Sequence, residues 1–163
     1  MSSRPRRVPS LRIRALNEQP VVEEGDYVVY WMITSRRRRY NFGLQRATVA
    51  ASKLRKPLVV LDALRVGYRW ASDRLHRFVM QGMADNARRF DGAPVWYHPW
   101  LEPEAGAGRG LLSELASRAC MVVTDDYPTF FVPRMLDAAA RKLPCRLEAV
   151  DANGLLPMRA ANR

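Results

Sequence analysis

Past residue 25 the chain alternates between two spacings of apolar residues: short, nearly continuous hydrophobic runs and longer stretches with an apolar position every third or fourth residue. The runs at residues 27–33 (YVVYWMI), 58–64 (LVVLDAL), 94–98 (PVWYH), 120–124 and 147–150 are rich in β-branched and aromatic side chains and predict five strands. LVVLDAL is apolar on both faces, as a central parallel strand requires. Between the strands, Leu44, Ala47, Ala51 and Leu54 share one helical face before Pro57 ends the helix. Leu75, Phe78, Val79, Met83, Ala87 and Phe90 predict the inner face of a long helix over residues 71–90, and two further helices are predicted near 111–119 and 131–143. The fold class that follows is α/β: a doubly wound five-stranded parallel sheet with helices on both faces.

This pattern divides the chain into a basic, flexible N-terminal arm (1–24), an α/β domain (25–158) and the first residues of a linker (159–163). The arm carries Arg4, Arg6, Arg7, Arg12 and Arg14 and lacks the apolar segment of a secretory signal. No apolar run is long enough to cross a bilayer, so no membrane partner is expected. Cys120 and Cys145 sit in apolar, strand-like stretches and are read as buried thiols of a cytoplasmic protein. Neither they nor His76 and His98 have metal-ligand spacing, so no metal is expected.

Charge changes the picture most. The formal net charge is +11, and Lys53, Lys56 and Lys142 are the only lysines among 27 basic residues. Such an excess either attracts phosphates and acidic surfaces or reflects arginine-favouring codons. Four arginines, Arg36 to Arg39, directly follow the first strand. In doubly wound sheets ligands bind beyond the carboxyl ends of the strands, which directs attention to residues 34–41, 99–110 and 125–130. An anion site at the arginine loop is a sensible expectation, yet four adjacent side chains do not share one face, and some must reach solvent or a partner. Asn41 is placed to cap the following helix. The GAGRG stretch at 106–110 has neither dinucleotide-binding nor P-loop spacing and reads as a flexible connection. Asp125 and Asp126 end the fourth strand, and adjacent residues there point to opposite faces, so Asp125 reads as a turn or capping residue. Trp31 and Trp96 are expected in the core, whereas Trp100, just past the third strand, is placed to stack on a base or planar chromophore. No nucleophile elbow, Cys-His pair or Walker motif is present.

Several stretches together resemble the N-terminal domain of DNA photolyases of the class II type, relatives of the cryptochromes. They are YVVYWM followed by a basic loop and Asn41-Phe42-Gly43-Leu44, then KPLVVLDAL, ASDRLHRFVMQGM, CMVVTDDYP and LEAVDANGLLP, in order across residues 25–158. Arg37 falls on the family's arginine and Asn41 on its asparagine. Asn153-Gly154 departs from the family's His-Asn, and the arginine run replaces a more mixed loop. The resemblance implies a carbon-carbon lyase that uses light absorbed by FAD to split pyrimidine dimers in DNA. FAD and DNA would bind a C-terminal helical domain outside this chain, leaving no catalytic residue here and the chain inactive by itself. It further implies that a deazaflavin or folate antenna can bind this domain, with Arg37, Asn41, Asp125 and Trp100 as candidate contacts. Two alternatives share the pattern: a cryptochrome-like blue-light sensor domain and a stand-alone nucleotide- or nucleic-acid-binding α/β module.

Overall fold

In the computed structural model, which describes residues 7–162, the elements follow the apolar spacing closely. They are β1 (Ile13–Ala15), β2 (Tyr27–Met32), α1 (Phe42–Leu54), β3 (Leu58–Leu64), α2 (Asp73–Phe90), β4 (Trp96–Leu101), α3 (Leu111–Ser117), β5 (Ala119–Asp126), α4 (Val132–Ala140) and β6 (Arg146–Asp151). The sheet order is β1-β6-β5-β2-β3-β4. β2 to β6 run parallel, and chain order reverses between β2 and β5. That reversal makes the β2/β5 boundary the switch point of a doubly wound sheet.

Alternation along the strands divides the core into two layers. Val28, Tyr30, Met32, Val60 and Val123 face α1 and the end of α2, while Val29, Trp31, Leu61, Val122 and Leu147 face α3 and α4. α1 lies close to the sheet because its buried face is small: Gly43, Leu44, Ala47, Ala50 and Ala51. A Cβ on Gly43 would come within 2.7 Å of the Tyr30 ring. Asn41 caps this helix, accepting from the Leu44 N–H at 2.9 Å, and a left-handed Arg55 ends it before Pro57.

Five features differ from expectation. A sixth strand, β1, arises within the segment read as an arm and pairs antiparallel with β6. It is anchored by buried Arg12, which donates to the carbonyls of Asp151 and Leu155 and lies 4.5 Å from the Phe42 ring centre. Three residues are too few to show a strand period; residues 1–6 of the arm lie outside the described chain. β5 runs to Asp126, so both aspartates belong to the strand and not to a loop. β4 is an edge strand, and Trp96, expected in the core, is 60% exposed. In α2 only Met83 and Phe90 of the expected inner face are buried; Leu75 and Phe78 on its first half stand in solvent. The buried residues of this helix, Met83, Asn86 and Phe90, all lie in its later turns, where Phe90 stacks on Tyr97 at 5.0 Å. Residues 159–162 of the expected linker fall in a 3-10 turn, Met158–Asn162. Cys120 and Cys145 are free and buried, and no helix among the described residues is long and apolar enough to cross a membrane.

Candidate functional site

The carboxyl edge of the sheet carries an acidic side chain at nearly every strand end, and the fold itself supplies partners for each. At the switch point the Asp125 carboxylate projects from β5 toward the loop after β2. One oxygen accepts the successive N–H groups of Ile33, Thr34 and Ser35 at 3.0, 2.8 and 2.9 Å. Three converging amides form an anion-binding nest, and here its occupant is a side chain of the same molecule. The other oxygen accepts from the Tyr30 hydroxyl at 2.7 Å. Burial pushes the Tyr30 phenol well above its ordinary pKa, and the Asp125 charge adds to the effect. Asn41 completes the cluster, donating to the carbonyls of Ser35 and Arg37 at 2.8 and 3.0 Å and contacting the Tyr30 hydroxyl.

The arginine run divides by direction. Arg36 turns inward, pairing with fully buried Asp62 of β3 and donating to the Ala63 carbonyl at 2.7 Å. Tyr97 of β4 donates to the second Asp62 oxygen at 2.7 Å, and burial followed by that bond raises its pKa. Arg37 is exposed and donates to the Tyr40 carbonyl at 3.2 Å. Arg38 donates to the Arg89 carbonyl at the end of α2 and lies over the Phe90 ring. Arg39 is exposed. One arginine of the four therefore locks β2 to β3, and the others remain near the surface.

After β4, buried Glu102 accepts the N–H groups of Val66, Gly106 and Gly108 at 2.9, 2.9 and 3.3 Å. Burial alone would raise its pKa, but those three donors together hold the carboxyl below its ordinary value. The GAGRG segment is thus a nest filled from within. Trp100 packs there: a Cβ on Gly108 would meet its ring at 2.8 Å, and Trp100 is half-buried against the α3–α4 layer. Asp126 is held by Arg14 at 3.4 Å and Arg159 at 2.5 Å. Asp151 accepts the Asn153 and Met158 N–H groups at 2.8 and 2.6 Å, so the Asn153-Gly154 departure builds a turn over β6.

Of the four candidate contacts, Asn41 and Asp125 come together through Tyr30, Arg37 joins them only through its carbonyl while its side chain points away, and Trp100, expected just past the third strand, lies within β4 because pairing with β3 runs on to Leu101. Asn41 lines an open depression of about 640 Å3 with Arg38, Tyr40, Phe42 and Thr48; the other three candidates do not. A smaller depression of about 320 Å3 lies by Asp126, between Arg14, Tyr127 and Arg159. Sequence reasoning missed Tyr30, Asp62 and Glu102. For Tyr30 and Asp62 the available signal was a phenol or acid inside an otherwise apolar strand, which requires a buried partner; Glu102, just past β4, had no such signal. Among the described residues no group of three His, Cys, Asp or Glu side chains converges as a metal site would require.

Over 151 residues the chain is 31% identical to the deoxyribodipyrimidine photo-lyase of Methanothermobacter thermautotrophicus, a match spanning 93% of this chain. That likeness supports the photolyase family. The chain spans about a third of the length of this curated relative, 33%. No family model matches it. The six-stranded, mostly parallel sheet with four α-helices is consistent with a Rossmann-like photolyase N-terminal domain, and the partial coverage is consistent with an N-terminal fragment of a photolyase-like protein.

Proposed function

We propose that this chain is the N-terminal α/β domain of a class II-type photolyase whose complete protein repairs pyrimidine dimers in DNA by light. The carrying observation is 31% identity along nearly the whole chain, supported by the order of the family-like segments on a doubly wound sheet. The class II assignment rests on YVVYWM with Asn41, on CMVVTDDYP and on LEAVDANGLLP.

FAD is implied by this reading, and the residues present do not fit it at the switch point. A dinucleotide diphosphate needs free backbone N–H groups there, whereas those of Ile33, Thr34 and Ser35 are taken by Asp125. That misfit supports the expectation, which comes from the family resemblance, that flavin and DNA lesion are bound by a C-terminal helical domain. For a deazaflavin or folate antenna, Asn41 is the candidate contact whose position supports the role, beside the Arg38 guanidinium and the Tyr40 and Phe42 rings. Asp125 acts on the scaffold, holding the loop after β2.

The test uses the complete reading frame containing this chain. Loaded with FAD, the protein is expected to restore dimer-containing DNA under blue light and not in the dark. A flavin-loaded protein that leaves the dimers intact overturns the lyase reading in favour of a light sensor; a reading frame with no flavin-binding region overturns both.

A further inference from the structure

We propose that the aromatic patch formed by the loops after β3 and β5 binds single-stranded nucleic acid, with bases stacked on Trp70 and Phe130 and phosphates held by the interleaved arginines. This surface is independent of the repair reading, which places DNA on another part of the protein.

The two loops meet across the end of β2, which lies between their strands. Trp70 and Phe130 pack edge to face with ring centres 6.0 Å apart, and Tyr68 bridges Phe131 at 6.4 Å and His76 at 5.8 Å. These rings are not core. Trp70 is 56%, Phe130 70% and Phe78 of the adjoining helix 74% exposed. Phe130 adopts a left-handed backbone (φ 58°), a strained conformation for a bulky residue, at the apex of its loop. The His76 Nε2 in the cluster is buried without a hydrogen-bond partner among the described residues, so the polar requirements of the patch are unmet by the fold alone.

Charge identifies the occupant. Residues 65–78 and 127–134 contain Arg65, Arg69, Arg74, Arg77 and Arg134 against a single acid, Asp73. Arg65 interacts electrostatically with the Glu102 carboxylate, but the other four arginines are in no ion pair among the described residues, in contrast to Arg36, and Arg69 lies 5.4 Å from the Trp70 ring centre. Exposed rings interleaved with unpaired guanidiniums form a stacking platform along a phosphate track. An acidic protein surface would satisfy the arginines but leave the ring faces without a planar partner. Unpaired bases are required because those of a duplex keep their faces stacked on one another.

The test titrates the intact chain with a short oligothymidylate and follows tryptophan fluorescence at several salt concentrations. Expected are quenching on binding and an affinity that falls as salt rises, with a logarithmic slope that drops by about 1.4 when Arg69→Gln and Arg74→Gln are combined. Trp70→Ala with Phe130→Ala should weaken binding about fivefold or more, the loss of at least one stacked base. Trp70→Phe should keep most of the affinity while losing most of the quenching, a readout that does not depend on the double variant folding. No binding at about 50 mM salt, where such phosphate contacts are strong, overturns the proposal. So does binding that persists unchanged in a folded Trp70→Ala/Phe130→Ala variant. Polyglutamate binding as tightly as the oligonucleotide would also overturn it, in favour of an acidic protein partner.

Discussion

Replacing Asp125 by alanine tests whether one carboxylate holds the switch point together. The substitution removes the acceptor of four hydrogen bonds, from the Tyr30 hydroxyl and the amides of Ile33, Thr34 and Ser35. The Tyr30 and Ser35 donors are buried; leaving the Ser35 amide unpaired costs about 1–3 kcal/mol, and the Tyr30 hydroxyl, left with the longer bond to Asn41 Oδ1 at 3.1 Å, loses about 1 kcal/mol. Water can reach the neighbourhood of exposed Thr34, so the remaining two amides contribute less. A total near 4 kcal/mol is a large share of the roughly 5–15 kcal/mol that stabilises a domain. With a urea slope of about 2 kcal/mol/M the unfolding midpoint should fall by about 2 M. Asp125→Asn can turn its carbonyl toward the nest and loses mainly the charge assistance, about 1–2 kcal/mol. Because the vacated nest is an anion site, formate should restore part of the stability of the alanine variant, compared with chloride at equal ionic strength. A midpoint shift corresponding to less than about 1 kcal/mol for Asp125→Ala, with an unchanged slope, would refute this reasoning.

Two further outcomes follow from the same edge of the sheet. Arg36→Ala leaves buried Asp62 with only Tyr97 and should cost about 3 kcal/mol, whereas Arg37→Gln, one position on and exposed, should change stability by less than about 0.5 kcal/mol; similar urea midpoints for the two variants would contradict the inward and outward division of the run. Stability should also fall at alkaline pH: burial raises Tyr30 and Tyr97 and lifts the Cys145 thiol to about 11, so the folded state keeps these groups neutral. The unfolded chain ionises them from about pH 8.5 for cysteine and about 10 for tyrosine, so their contribution is complete below those values and is lost as pH rises through the folded ones. Glu102 behaves oppositely, because its lowered pKa makes its contribution disappear as pH falls below about 4. Thermal melts across pH 3–11 would check both limbs, and a stability that stayed flat above about pH 10 would contradict the phenol and thiol burial.

The period of the apolar residues was enough to determined the five parallel strands, the four helices and the division of the core into two layers, because a side chain's face is set by its position in a strand or helix. LVVLDAL had to be central, and Asn41 had to begin a helix. What lies beside each element is not a property of its own sequence. Trp96 and the first half of α2 carry core-like spacing but lie at the sheet's edge, where no further element among the described residues covers them. β1 is too short to have a period and exists because Arg12 is anchored on the turn after β6. The destinations of the charges were likewise decided by tertiary structure. Arg36 and Arg37 are chemically identical neighbours, yet Asp62 lies 26 positions away from one of them and within its reach. Asp125 reads as a turn or capping acid, and Glu102 carries no signal, until folding brings the amides of Ile33, Thr34 and Ser35 to the one and that of Val66 to the other.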